Sequence, residues 1–105
     1  MENLMLFNLA LMWYPLGSIE IFRKEIDETD KVIITNLAKR SKLTEQIGRY
    51  KYENNLAIYD EKREKEIFNN LRKFAEENGL DPNLVEKVFE PVLEYSKKFQ
   101  ALNRQ

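Results

Sequence analysis

A helical hydrophobic period that runs without proline from Ser18 to about Tyr52 constrains this chain more than any other feature. Ile19, Phe22, Ile26, Ile33, Leu37 and Ile47 recur at the three- and four-residue spacing that places side chains on one helical face. Ser18 is suited to cap the start. About 35 residues at 1.5 Å each give a helix of roughly 50 Å, too long for one small globule to cover. Val32, Ile34, Ala38 and Leu43 lie off the main stripe, so the helix is apolar on more than one side. A second copy of the same helix is the simplest cover, and the expectation is an intertwined helical homodimer.

Arg40, Thr44 and Lys51 interrupt the stripe on its own face. An unpaired buried charge costs several kcal/mol, roughly, even after relaxation, so two inward cations ask for an anion. The anion site must be local: 17 Lys and Arg against 18 Asp and Glu leave no global field for nucleic acid or an acidic membrane, and neither is expected as a partner. The chain has no Cys and no His, which removes disulfides, thiol nucleophiles, imidazole acid-base chemistry and the usual zinc sets. Gly17, Gly48 and Gly79 are too scattered for a phosphate-cradling loop. A cytoplasmic location, with no metal and no cofactor, is the expectation.

With 105 residues the chain has room for one domain, and only three Gly and three Pro among 43% hydrophobic and 33% charged residues read as all-α. The domain is expected to span residues 18–105, behind an apolar extension at 1–17. That extension carries Leu4-Met5-Leu6-Phe7 and Leu9-Ala10-Leu11-Met12-Trp13 and breaks at Pro15 and Gly17. It is shorter than the about 20 residues of a membrane span and lacks the basic start of a secretory signal. Packing against the body or a partner is the leading reading. A junction with foreign or mis-started sequence at Gly17-Ser18 and a weak export signal are the alternatives.

Asn54 to Ile58 form a short connection, and Asp60 caps a second helix from about Glu61 to Glu77 with Ile67, Phe68, Leu71, Phe74 and Ala75 inward. Asn78-Gly79 stops it. Asp81-Pro82 then starts a third helix that turns Val85, Val88, Phe89, Val92 and Phe99 inward, with Pro91 expected to kink it at a cost of about 3 kcal/mol. The fold expected is thus a three-helix subunit with one long N-terminal helix.

Each helix carries polar residues where the period asks for apolar ones: Arg40 and Lys51, then Asp60 and Glu64 with Arg63 beside them, then Ser96 and Gln100. Spacing by four puts Asp60 with Glu64, and Ser96 with Gln100, on single faces. Singly, each has a structural explanation. Arg40 and Lys51 could snorkel to water, Asp60 could merely cap, Ser96 is tolerated in helices, Arg63 and Glu64 sit in a charged run, and Gln100 is near a helix end. Their joint occurrence points to one wet pocket.

The arrangement resembles the all-helical class of chorismate mutase. The resemblance runs without a gap from Ile21 to Gln100 and rests on Phe22-Arg23-Lys24-Glu25-Ile26-Asp27, Leu37-Ala38-Lys39-Arg40, Ile47-Gly48-Arg49-Tyr50-Lys51, Asp60-Glu61-Lys62-Arg63-Glu64, Asn78-Gly79-Leu80-Asp81 and Ser96 to Gln100. It implies that Arg23 and Arg40 bind substrate carboxylates and that Lys51 and Gln100 address the ether oxygen. Asp60 and Glu64 would hold the ring hydroxyl, and Arg63 and Ser96 the ring carboxylate end. Pro91 and the apolar N-terminal segment depart from the family pattern. On one straight helix Arg23 stands about 42 Å from Lys51, so the two cannot share a pocket within one subunit; a dimer in which Arg23 serves the partner's site removes the conflict.

The activity implied is the rearrangement of chorismate to prephenate in aromatic amino acid biosynthesis, which needs no nucleophile, cofactor or proton shuttle. Two rivals stand beside it. A lyase on the same scaffold splits isochorismate into salicylate and pyruvate, but that branch lacks acidic counterparts of Asp60 and Glu64. A non-catalytic helical dimerisation module would leave the polar residues accidental.

Overall fold

A computed structural model describes residues 18–102, and these contain three helices and no strand. Helix α1 spans Ser18–Glu53, α2 Glu61–Glu77 and α3 Pro82–Ala101. The all-helical expectation holds, with boundaries within a residue of those read from the period. Ser18, expected as a cap, is the first residue of α1. The apolar stretch at 1–17 lies outside the described residues. Among the described residues no helix is long and apolar enough to cross a membrane.

Local chemistry ends each helix. After α1 the chain turns through Asn55 in the left-handed region, φ 56°, while the Leu56 amide donates to the Lys51 carbonyl at 2.8 Å and the Asn55 amide to Tyr52 at 3.3 Å. Gly79 does the same after α2, with φ 71°; the Leu80 amide donates to Ala75 at 2.9 Å and Gly79 to Glu76 at 3.1 Å. Both are Schellman closures, which satisfy the last carbonyls of a helix. At the opposite ends Asp60 Oδ1 accepts from the Arg63 amide at 3.0 Å and Asp81 Oδ1 from Asn83 at 2.9 Å, with Pro82 following as the first helical residue. Pro91 does not end its helix. One element continues through it to Ala101.

The chain divides into two units, residues 1–38 and 39–105. In the first, the described residues are the leading part of α1. Ile19, Phe22, Ile26, Val32, Ile33, Ile34 and Leu37 all lie 40–65% exposed there. Among the described residues, the stripe expected to be covered is therefore exposed.

The second unit contains the remainder of α1 and the whole of α2 and α3. Helices α2 and α3 run antiparallel: Arg72 pairs with Glu86 at 2.7 Å near the turn, and Glu64 with Lys97 at 3.4 Å toward the other end. Ala75 and Leu93 are the buried hydrophobic residues among those described. Phe74 and Val88, expected inward, are exposed. Two helices in contact bury only a narrow strip of each, and a wider apolar face outruns that strip.

Helix α1 meets α3 where Gly48 lies against the backbone of Gln100. A methyl group on Gly48 would overlap the Gln100 carbonyl oxygen and Cα and fall 2.7 Å from its carbonyl carbon. In an isolated helix, alanine is favoured over glycine by about 1 kcal/mol. Here that gain is reversed, because the obstacle is backbone and cannot swing away. Gly48→Ala is expected to cost about 1–3 kcal/mol in denaturant unfolding, the usual penalty of overpacking. Gly79→Ala, with nothing within 4 Å of the added methyl, should instead cost only the roughly 1 kcal/mol of its positive φ.

Candidate active site

Within the second unit the polar residues that broke the helical period come together around one cavity of about 250 Å³. That is the lower end of the size range of small-molecule pockets. Arg40, Thr44 and Lys51 enter from α1, Asp60, Arg63 and Glu64 from the start of α2, and Ser96, Lys97 and Gln100 from α3, with Ile58 and Tyr59 from the connection and Ile47, Ile67 and Leu93 as apolar wall. Seven of the eight residues expected to form a site line it; Arg23 does not. Arg23 belongs to the other unit, where its exposed guanidinium pairs with Glu20 at 3.0 Å.

Lys51 Nζ donates to Gln100 Oε1 at 2.7 Å and to the Ile58 carbonyl at 2.7 Å. The Schellman turn at Asn55 brings that carbonyl back toward α1, so the backbone of the connection helps to aim the lysine. Because the Gln100 amide oxygen accepts from Lys51, its NH2 is the end that can donate to a ligand. Gln100 is 9% exposed, so the pair sits in a medium where charge is weakly screened.

Arg40 Nη1 donates to Ser96 Oγ, which in turn donates to the Val92 carbonyl at 2.8 Å. The Arg40 guanidinium is held below its ordinary pKa, first by burial and then by the positive charge of Arg63. An arginine stays charged even so. Both causes are relieved by an anion between the two guanidiniums, so this end of the cavity is suited to a carboxylate.

Asp60 uses one oxygen as the α2 cap and stands at the rim, where Arg63 pairs with Glu66 at 2.8 Å. Glu64 is part-buried and pairs with Lys97 at 3.4 Å. The structural and functional readings of Asp60 are therefore compatible: a cap fixes the carboxylate, and its second oxygen remains a possible acceptor. Thr44 is buried but donates to the Ser41 carbonyl of its own helix at 2.8 Å, a local bond rather than a donor aimed at a ligand.

Sequence reasoning missed three members of the site. Leu93 was left off the inward face of α3, although it is 6% exposed. Tyr59 and Lys97 were not singled out, yet Lys97 stands over the Tyr59 ring at 5.0 Å and both line the cavity. The available signal for Lys97 was its register, three residues before Gln100 and next to Ser96.

No solved structure matches the chain significantly. Relatives of known name do. A chorismate mutase of Methanocaldococcus jannaschii is 35% identical over 78 residues, 74% of this chain and 79% of that protein. A bifunctional chorismate mutase/prephenate dehydratase of Aquifex aeolicus is 42% identical over 93 residues, 82% of this chain but 26% of its own length. The T-protein of Enterobacter agglomerans is 35% identical over 81 residues, 77% of this chain and 22% of that one. The chain thus spans most of the first relative and about a quarter or less of the two longer ones. Residues 22–101 match the family described as chorismate mutase type II, and that stretch takes in each of the eight expected site residues. The chain belongs to the type II chorismate mutase family.

Proposed function

We propose that the chain rearranges chorismate to prephenate, the step that precedes the prephenate-consuming reactions of phenylalanine and tyrosine biosynthesis. The observation that carries this reading is the pair Lys51–Gln100, two donors locked together at 2.7 Å in a cavity that Arg40, Arg63, Asp60 and Glu64 also line. Membership of the family supplies the substrate. A cytoplasmic location is part of the same reading.

The reaction breaks one carbon-oxygen bond and forms one carbon-carbon bond inside a single molecule, so no atom enters or leaves. The protein's task is to fold the enolpyruvyl arm over the ring and to stabilise charge that grows on the ether oxygen. Arg40 and Arg63 hold carboxylate, and Ser96 fixes the Arg40 guanidinium. Asp60 and Glu64 accept the ring hydroxyl. Holding the reacting carbons together removes most of the orientational cost. Lys51 supplies a full charge and Gln100 a neutral donor to the ether oxygen, and both are in position before the bond breaks.

The exposed stripe of α1 and the small buried core support association with a second copy. In the proposed homodimer each Arg23 completes the site of the other subunit. The isochorismate lyase reading is disfavoured by the two carboxylates at the hydroxyl end.

Lys51→Ala is expected to lower turnover about a hundredfold to a thousandfold, roughly 3 kcal/mol of transition-state stabilisation, with the helical circular-dichroism signal retained. Chorismate consumption with prephenate as product is the assay, and near-normal turnover in the variant would reject the role of Lys51. Offered isochorismate instead, the protein should release no salicylate.

Gln100→Glu tests the neutral donor. An ionised carboxylate places negative charge where negative charge must develop, so activity should survive only in acid, where the new group is protonated, and fall as pH rises. The unaltered protein should stay nearly flat across neutral pH, and identical profiles would place Gln100 away from the ether oxygen.

Mixing tests the shared site. Arg23→Ala and Lys51→Ala chains, each nearly inactive alone, should recover about one quarter of full activity when mixed in equal amounts and allowed to exchange, because half the dimers are mixed and each holds one intact site. A mixture no more active than its components would show that Arg23 does not act across subunits.

A further inference from the structure

Lys97 is absent from the set of residues given a role above, yet three separate contacts fix it across the cavity wall. Its Nζ lies 3.4 Å from Glu64 Oε2 on α2, 3.0 Å from Glu94 Oε1 on its own helix and 5.0 Å from the centre of the Tyr59 ring in the connection. The Glu94 pair alone would be an ordinary neighbour contact along an exposed helix. The other two reach across to different elements, and they turn the ammonium toward the pocket. Lys97 and Glu64 are 32% and 28% exposed at their side chains, so solvent screens them only in part.

The charge balance of the pocket gives this contact a purpose. Arg40 and Lys51 bring two positive charges from α1, and Arg63 a third from α2. Asp60 and Glu64 oppose them with two negative ones, also from α2. A substrate with two carboxylates adds two more negative charges beside those acids. A carboxylate that must accept a hydroxyl group's hydrogen bond has to stay ionised, yet in that state it repels the dianion it serves.

We infer that Lys97 is a positioning residue that resolves this conflict: its ammonium pairs with Glu64, so that the carboxylate accepts the substrate hydroxyl without repelling the substrate's own carboxylates. The inference rests on the chorismate reading above. Glu94 anchors the lysine from behind and Tyr59 supports it from the side, so the ammonium is held by contacts that do not depend on substrate. The hydrogen bond with Glu94, and after it the charges of Glu64 and Glu94, hold the Lys97 amine above its ordinary pKa, which keeps it charged across neutral pH despite partial burial.

Steady-state kinetics of the whole protein at low ionic strength provide the test, with melting curves alongside. Lys97→Met keeps the aliphatic stem and removes the charge. It should raise KM for chorismate about tenfold with a smaller change in kcat, since the repulsion acts on bound substrate and transition state alike. Added salt should narrow the difference, Lys97→Gln should repeat the pattern, and Lys97→Arg should restore KM to within about twofold. In a Glu64→Gln background, where no charge needs screening, Lys97→Met should have little further effect. Equal losses in the two backgrounds, or a lower melting temperature with unchanged KM, would overturn the inference while the unaltered protein still turns over chorismate. An unaltered protein that leaves chorismate intact would overturn the functional reading and this inference with it.

Discussion

A residue without a side chain at position 48 lets the backbones of α1 and α3 meet, and the arrangement of the pocket follows from that approach. Gly48 and Gln100 touch through main-chain atoms, so the distance between the two helices is set by the thickness of polypeptide rather than by flexible side chains. One turn further along α1, Lys51 then reaches Gln100 at 2.7 Å. A wider helix spacing would break that bond, and with it the aim of a donor pair that spans α1 and α3. Glycine is a poor helix former, so its place here reflects packing against α3 rather than local preference.

Around that fixed point the pocket is arranged by sign. Arg40 loses solvation, and the positive charge of Arg63 nearby raises the cost of its own. That cost is a standing demand for an anion. Glu64 shows the complementary solution, since Lys97 supplies its counter-charge from within the chain. Arg40 and Glu64 therefore differ: Arg40 is met by the neutral Ser96 hydroxyl, and Glu64 already has a counter-charge.

Much of this was legible in the sequence, and the parts that were not share a cause. Asp60, Gly79 and Asp81 announce helix ends because caps depend on neighbours within four residues. The polar interruptions of the period at Arg40, Lys51, Glu64, Ser96 and Gln100 were readable because a helix face is also a local property. Lys97 was not, since its meaning lies in Glu64 and Tyr59, more than thirty residues away. The packing role of Gly48 is hidden for the same reason, its contact with Gln100 being distant in sequence. Phe74 and Val88 were misplaced for the opposite reason: the period marks which residues share a face, but the width of the partner decides how much of that face is covered.

The same distinction bears on the α1 stripe. An isolated helix gains little from its own hydrogen bonds beyond a marginal balance, and most helical stability comes from packing an apolar face. The leading part of α1 exposes seven large apolar side chains, and the described core holds Ala75 and Leu93 as its buried hydrophobic residues. A chain of this length normally removes well over half of its unfolded surface from water. In the proposed homodimer the exposed stripe and the distant Arg23 have one remedy, energetic in the first case and chemical in the second. A second copy that covered the stripe would bring its own stripe and its own Arg23, so the proposed symmetric association would bury the one and place the other at once.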